Sequence, residues 1–341
     1  MLDKLFFTCN AVFPIILTIL VGYVLKILKV FPEDFFKLLN KLSFKCSLPV
    51  LLFYNVYNVD KLSAIANYGK VCAFSFIAIM TSFLIPAVVF AFAIKDKRQK
   101  GVMVQAAYRS NNAIIGLSLV TTLVNGEKNA IAVVSILSSL FIPLFNILAV
   151  ISLTMYMNED GKKIDFKAMI KKILTNPLII GCGIGFVCLI ARYFIPVKVN
   201  SAGNEVPLFT IKENLPFVFS TVTMIANCAT PIALIALGGT FTFSAIAKLK
   251  KLIVTGTFLR VFLVPVVVLV CAYFFGFREV EFPALIALFA TPTAVSSVPM
   301  ASEMNNDDEL AGQLVVWSSI MSAFTLFGII FACTQIGIFK V

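Results

Sequence analysis

Residues Ala290 to Glu303 read ATPTAVSSVPMASE and lie inside a long apolar run. A proline lacks the backbone N–H and its ring clashes with the preceding turn, so Pro292 and Pro299 each break a helix. Thr293, Ser296 and Ser297 add hydroxyls to the broken stretch. In a bilayer, freed backbone groups persist only where protein or a water-filled cavity satisfies them. A broken, hydroxyl-rich helix at membrane depth is therefore a candidate binding site. The alternative is a proline-kinked helix whose hydroxyls are satisfied internally. The rest of the chain reads as the scaffold around this break.

The chain has 341 residues, 60% hydrophobic and 13% charged, with mean hydropathy +0.98. Soluble domains are about 45–50% apolar and about 25% charged, so this composition belongs to a polytopic membrane protein. Apolar runs of about 20 residues suit helices rather than barrel strands. Ten spans are expected, roughly at 6–28, 36–57, 67–94, 101–124, 129–156, 171–194, 213–239, 250–276, 282–303 and 309–338. The longest polar link runs from Asn158 to Lys172 and divides the chain into near-equal halves, 1–157 and 171–341, joined by residues 158–170. The N-terminus lacks a basic region and a small-residue cleavage site, so the first apolar run reads as retained.

The net charge of +11 reflects basic residues beside spans, which set orientation, and no nucleic-acid partner is expected. Seventeen of the 28 lysines and arginines flank the odd-numbered connections, against nine at the termini and even-numbered ones. The odd connections should be cytoplasmic and both termini outside. The remaining two, Arg109 and Arg260, lie well inside spans. The eight cysteines fall in or beside apolar segments without metal-ligand spacing and read as small apolar fillers. No cofactor or metal is expected.

The halves match in order. Cys46-Ser47-Leu48-Pro49-Val50 in span two parallels Cys228-Ala229-Thr230-Pro231-Ile232 in span seven. Pro14 and Gly22 in span one parallel Pro177 and Gly185 in span six, and spans five and ten are both rich in small and hydroxyl residues. Five spans per copy is odd, so the second copy must be inverted in the membrane. Many secondary transporters have this design, with the site at the repeat interface.

Span four carries Arg109-Ser110-Asn111-Asn112. Arg109 lies eight residues past Gly101, about 12 Å into the bilayer at 1.5 Å per residue. A charge there costs at least about 2.5 kcal/mol unless it reaches water or a partner. No acidic residue lies nearby in any span, so an anionic ligand suits it; snorkelling to the cytoplasmic surface is the alternative. Arg260 lacks polar neighbours in sequence and reads as snorkelling or as a structural bond. Adjacent asparagines suggest unwound backbone, and if spans four and nine break at one depth they cross there. Half-helix N-termini would then face an anion, and loose carbonyls a cation.

These residues carry a resemblance along essentially the whole chain to the auxin efflux carrier family, which spans bacterial organic-acid permeases and plant PIN-type auxin exporters. The family's span-four pattern, Arg-x-Asn then Gly-x-Pro, resembles Arg109-Ser110-Asn111 and Gly116-Leu117-Ser118, with serine in place of the proline. Its span-nine pattern resembles Pro292, Pro299, Ala301 and Glu303. Its span-two pattern resembles Asn40-Lys41 and Lys45-Cys46-Ser47-Leu48-Pro49-Val50-Leu51. The resemblance implies an all-α, bile-acid-symporter-like fold of ten helices with crossed, broken spans four and nine. Spans one, two, six and seven would form a scaffold and the others a mobile domain. It also implies that Lys45 and Asn111 line the substrate pocket. The plant exporters' large central loop is absent; the link is short, as in bacterial members.

The expected function is secondary transport of small organic anions across the bacterial cytoplasmic membrane. The expected binding residues are Arg109, Asn111, Asn112, Lys45, Thr293, Ser296, Pro292 and Pro299. Glu303 reads either as a coupling carboxylate or as a solvated helix end. A sodium site from Asn112, Thr293, Ser296 and carbonyls is an alternative, as are proton coupling and a transporter-shaped sensor. A homodimer is left open. An intramembrane enzyme fares badly, because without histidine there is no His-based triad or zinc site.

Overall fold

The computed structural model describes residues 2–58, 68–124, 127–157, 170–171, 173–199 and 205–339. The central link at 158–170 therefore lies almost wholly outside the described residues. The first half contains α1 (Leu2–Ile27), α2 (Glu33–Leu42), α3 (Leu48–Tyr57), α4 (Gly69–Ala93), α5 (Lys97–Tyr108), α6 (Leu117–Leu123) and α7 (Lys128–Met155). The second contains α8 (Pro177–Tyr193), α9 (Ile211–Asn214), α10 (Pro216–Thr240), α11 (Ser244–Phe258), α12 (Val264–Phe274), α13 (Phe282–Ala290), α14 (Ser297–Glu303) and α15 (Asp308–Gln335). Val197–Val199 and Glu205–Pro207 form a small antiparallel pair, which the span count did not foresee.

Local chemistry sets the helix starts. Asp96, Glu127, Asn176 and Asp307 accept hydrogen bonds from the first-turn N–H groups of α5, α7, α8 and α15. Such side chains satisfy donors that a helix start leaves orphaned. Two wide π turns, Ser43–Ser47 and Leu259–Leu263, immediately precede Pro49 and Pro265. Each proline would clash with the carbonyl four residues back, and widening the turn keeps the helix continuous. A third π turn, Asn112–Gly116, opens the second half of the fourth apolar run.

Five helical stretches are long and apolar enough to cross a membrane: Gly69–Ala93, Asn129–Met155, Pro216–Thr240, Ser244–Phe274 and Asp308–Gln335. Their outward faces carry exposed Ile77, Leu84, Val88, Phe92, Phe258, Phe262 and Phe324. Contiguous exposed apolar surface of this kind fits a lipid environment rather than water.

The helices pack as two groups. In the first, α1 lies along α10, α3 along α8, and α2 and α3 against α10. Glycines allow the close approaches: a Cβ on Gly22 would run into the Ile235 backbone, and one on Gly238 into the Ile19 and Tyr23 backbone. Gly181 and Gly185 play the same part against Pro49 and Val56. The second group joins α4, α5 and α7 with α11 to α15. The groups meet where α1 touches α15, α3 and α8 touch α7, and α14 touches α2.

Candidate functional site

The fourth and ninth apolar runs both break, and the breaks meet. The first ends as helix at Tyr108, with Arg109 extended (φ −84°, ψ 98°). The other ends at Ala290, with Thr291 extended (φ −69°, ψ 153°). Ser110 and Thr293 form an antiparallel bridge: the Asn111 N–H donates to Pro292 O at 2.8 Å and the Ala294 N–H to Arg109 O at 3.2 Å. Ser318 Oγ of α15 accepts from the Thr293 N–H at 3.0 Å. Backbone groups that two broken helices leave open are thus paired with each other and with a third helix, as burial requires.

Arg109 projects from this crossing and is 2% exposed, so it does not snorkel. Its Nη1 donates to Gln105 Oε1 at 2.9 Å and to Met300 Sδ at 3.0 Å. Its Nη2 donates to Asn146 Oδ1 at 2.7 Å and to Ser296 Oγ at 2.9 Å. Asn146 is itself oriented, because its Nδ2 donates to Ile142 O at 2.8 Å. All four partners are neutral. Among the described residues the ion pairs are Lys37–Asp34 and Lys45–Glu303, so Arg109 has no carboxylate.

A cleft between the two helix groups opens onto this guanidinium. Arg109, Ser110, Asn111, Asn146 and Ser296 form its polar wall, and Leu48, Leu52, Leu178, Thr230 and Ala233 face them from the first group. Ser110 Oγ and Asn111 Nδ2 are buried without a hydrogen-bond partner. The cavity measures about 50 Å³, room for roughly three or four water-sized bodies. A cation and two unspent polar groups therefore face a small, mostly apolar cleft whose walls belong to different helix groups.

Not every residue singled out from the sequence comes to this cleft. Arg109, Asn111 and Ser296 line it. Asn112 turns away and donates from Nδ2 to Ser138 Oγ at 2.8 Å. Thr293 and Ser297 face the other side of the crossing, toward Gln105 and α15, where Thr293 Oγ1 and Ser297 Oγ are buried without partners. Pro292 contributes its carbonyl to the bridge; Pro299, expected to break a helix, instead lies buried in the first turn of α14, where its missing N–H costs no helical hydrogen bond. Asn146 and Thr230 were missed; a lone asparagine in the apolar run Phe145-Asn146-Ile147 was the available signal.

Lys45 does not line the cleft. It sits in the π turn that precedes Pro49, and its Nζ lies 3.7 Å from Glu303 Oε2. Glu303 is accordingly neither a free carboxylate nor a simple solvated end; it pairs across the boundary between the helix groups. It also borders a vestibule of about 510 Å³ that includes Asp34, Lys41, Asp308, Glu309 and Gln313. The Lys45 side chain is about half exposed, and water screens such a pair to about 0–1 kcal/mol. Lys45→Ala and Glu303→Gln should each lower stability by no more than about 1 kcal/mol. Thermal melting of the purified variants checks this; a loss of several kcal/mol from either would show that the pair holds the two groups together.

Arg260 sits in the π turn Leu259–Leu263, is fully buried, and donates to three backbone carbonyls at the back of the crossing. It is a structural bond and not a snorkelling side chain.

No curated relative matches the sequence. The description "Membrane transport protein" belongs to a family model that matches residues 7–330, nearly the full length. The chain therefore belongs to this auxin efflux carrier-like family of membrane transport proteins.

Proposed function

We propose that the chain is a secondary carrier of small organic anions, carboxylates above all, working by alternating access across a bacterial cytoplasmic membrane. One observation carries the reading. The Arg109 guanidinium is buried at the wall of the cleft, held by four neutral acceptors, beside the unpartnered Ser110 Oγ and Asn111 Nδ2. A buried cation without a counter-charge costs several kcal/mol, and a bound carboxylate offsets that cost while taking up the two open polar groups. The small cavity suits a compact anion, or a larger one admitted when the helix groups separate.

Ten spans in two inverted five-helix repeats account for the packing as well as the sequence matches. Exchanging span one with six and span two with seven turns the contact of α1 on α10 into that of α8 on α3, and glycines sit at both. The crossing pairs the fourth run with the ninth, the two that the exchange interchanges. In this arrangement the first helix group is the scaffold and the second moves against it in an elevator-like displacement.

The test is counterflow in proteoliposomes over a panel of mono- and dicarboxylates. The carrier reading expects saturable counterflow for at least one acid. Flux that rises linearly without saturation would mean a channel, and binding without flux a sensor. Orientation has its own test. With the odd-numbered connections cytoplasmic, single cysteines introduced between Asn158 and Lys172 should resist impermeant thiol reagents applied to intact cells. Labelling from outside would reverse the assignment.

A further inference from the structure

Backbone bookkeeping at the crossing isolates three carbonyls. In a continuous helix, Ala107 O would accept from the Asn111 N–H, but that N–H donates to Pro292 O. Phe289 O would accept from the Thr293 N–H, which donates instead to Ser318 Oγ. Thr291 lies past the end of α13 in extended conformation. Arg260 collects all three: Nε donates to Thr291 O at 3.0 Å, Nη1 to Ala107 O at 3.2 Å, and Nη2 to Phe289 O. These carbonyls belong to the C-terminal ends of α5 and α13, which face one another across the guanidinium. Each helix C-terminus carries about half a negative elementary charge, so the two together call for about one positive charge. Facing half-helix C-termini are where ion-coupled carriers hold a sodium ion or a proton.

We propose that Arg260 is a resident cation, its guanidinium serving the two half-helix C-termini that a coupling ion would otherwise serve, so that the carrier assembles its crossing without a bound metal cation. One further observation fits: Arg260 sits in the π turn before Pro265, fully buried, in a stretch whose other residues are apolar. The proposal rests on membership in a carrier family and not on the role given to Arg109.

The experiment is thermal melting of purified protein at constant ionic strength in choline chloride, sodium chloride or methylguanidinium chloride. The parent should melt at one temperature in sodium and choline. Arg260→Gly removes the charge and leaves room among the carbonyls. It should melt lower in choline and recover with a saturable upward shift in methylguanidinium or sodium, which are small enough to enter. Arg260→Lys should fall between the two without added ion. A glycine variant that melts like the parent, or one whose lowered melting ignores every cation, overturns the proposal. If the glycine variant does not accumulate, Arg260→Lys and Arg260→Met decide. The charged replacement should yield folded protein and the neutral one should not, and equal yields of the two overturn the proposal as well.

Discussion

Arg109→Gln should weaken binding of the transported carboxylate at least tenfold while the protein still inserts and stays monodisperse. A hydrogen bond to a charged group is worth about 1.5–3 kcal/mol, or about one to two decades of affinity. Glutamine removes the charge but keeps an amide that can bond to Gln105, Asn146 or Ser296, which now accept from the guanidinium. Removing a desolvated cation that lacks a carboxylate also removes a cost from the folded state, so the fold should tolerate the change. Arg109→Lys should restore binding only in part, because an ammonium lacks the planar fork that grips a carboxylate. Asn111→Ala is the cleaner companion. Its backbone N–H makes the crossing bond to Pro292 O, while its side-chain Nδ2 has no protein partner. Truncation therefore strips a ligand contact and leaves the crossing intact, and the same tenfold loss is expected. Titration of the acid identified by counterflow, read by melting or calorimetry, checks both. Binding equal to the parent in both variants would make the crossing purely structural.

Gly238→Val should have the largest effect on folding. A Cβ at this position overlaps Ile19 O and presses on the Tyr23 backbone nitrogen of α1. Both obstacles are main chain of a neighbouring helix, so no side-chain rotation relieves them. Overpacking costs about 1–3 kcal/mol where side chains yield, and a backbone clash belongs at or above the top of that range. The variant should lose most of its monodisperse fraction in size-exclusion chromatography. Gly183→Val, where a Cβ meets nothing within 4 Å, is the matched control and should behave as the parent. A Gly238 variant as well behaved as the control would show that α1 and α10 are not held at this distance.

The breaks at Arg109 and Pro292 were legible in the sequence because their causes are local, whereas Pro299 breaks nothing, since in the first turn of α14 its missing N–H costs no helical hydrogen bond. Pro292 ends one helix by its own chemistry, and Arg109-Ser110-Asn111-Asn112 announces polar backbone in an apolar run. Helix positions were legible too, to within one or two turns, because apolar length sets them. What Arg109 touches was not legible. Its partners come from its own helix, from α7 and from the ninth run, and no local pattern encodes that meeting. The resemblance places Lys45 in the pocket, yet its Nζ lies 3.7 Å from Glu303 Oε2 instead, a tertiary pairing that no local pattern marks. Arg260 looked isolated because its partners are backbone carbonyls, which every residue carries and no sequence motif marks. Asn146 was visible as a lone amide, but its importance depends on the guanidinium that it receives.

The central claim is that the cleft at Arg109 selects a negative charge. The most direct test compares a carboxylate with its isosteric primary amide on the unmodified protein. Both ligands fill the same volume and differ in charge. Saturable thermal stabilisation by the carboxylate, with none by the amide at equal concentration, is the expected result. Equal stabilisation by the two would mean that the cleft reads shape and not charge, and would contradict the account.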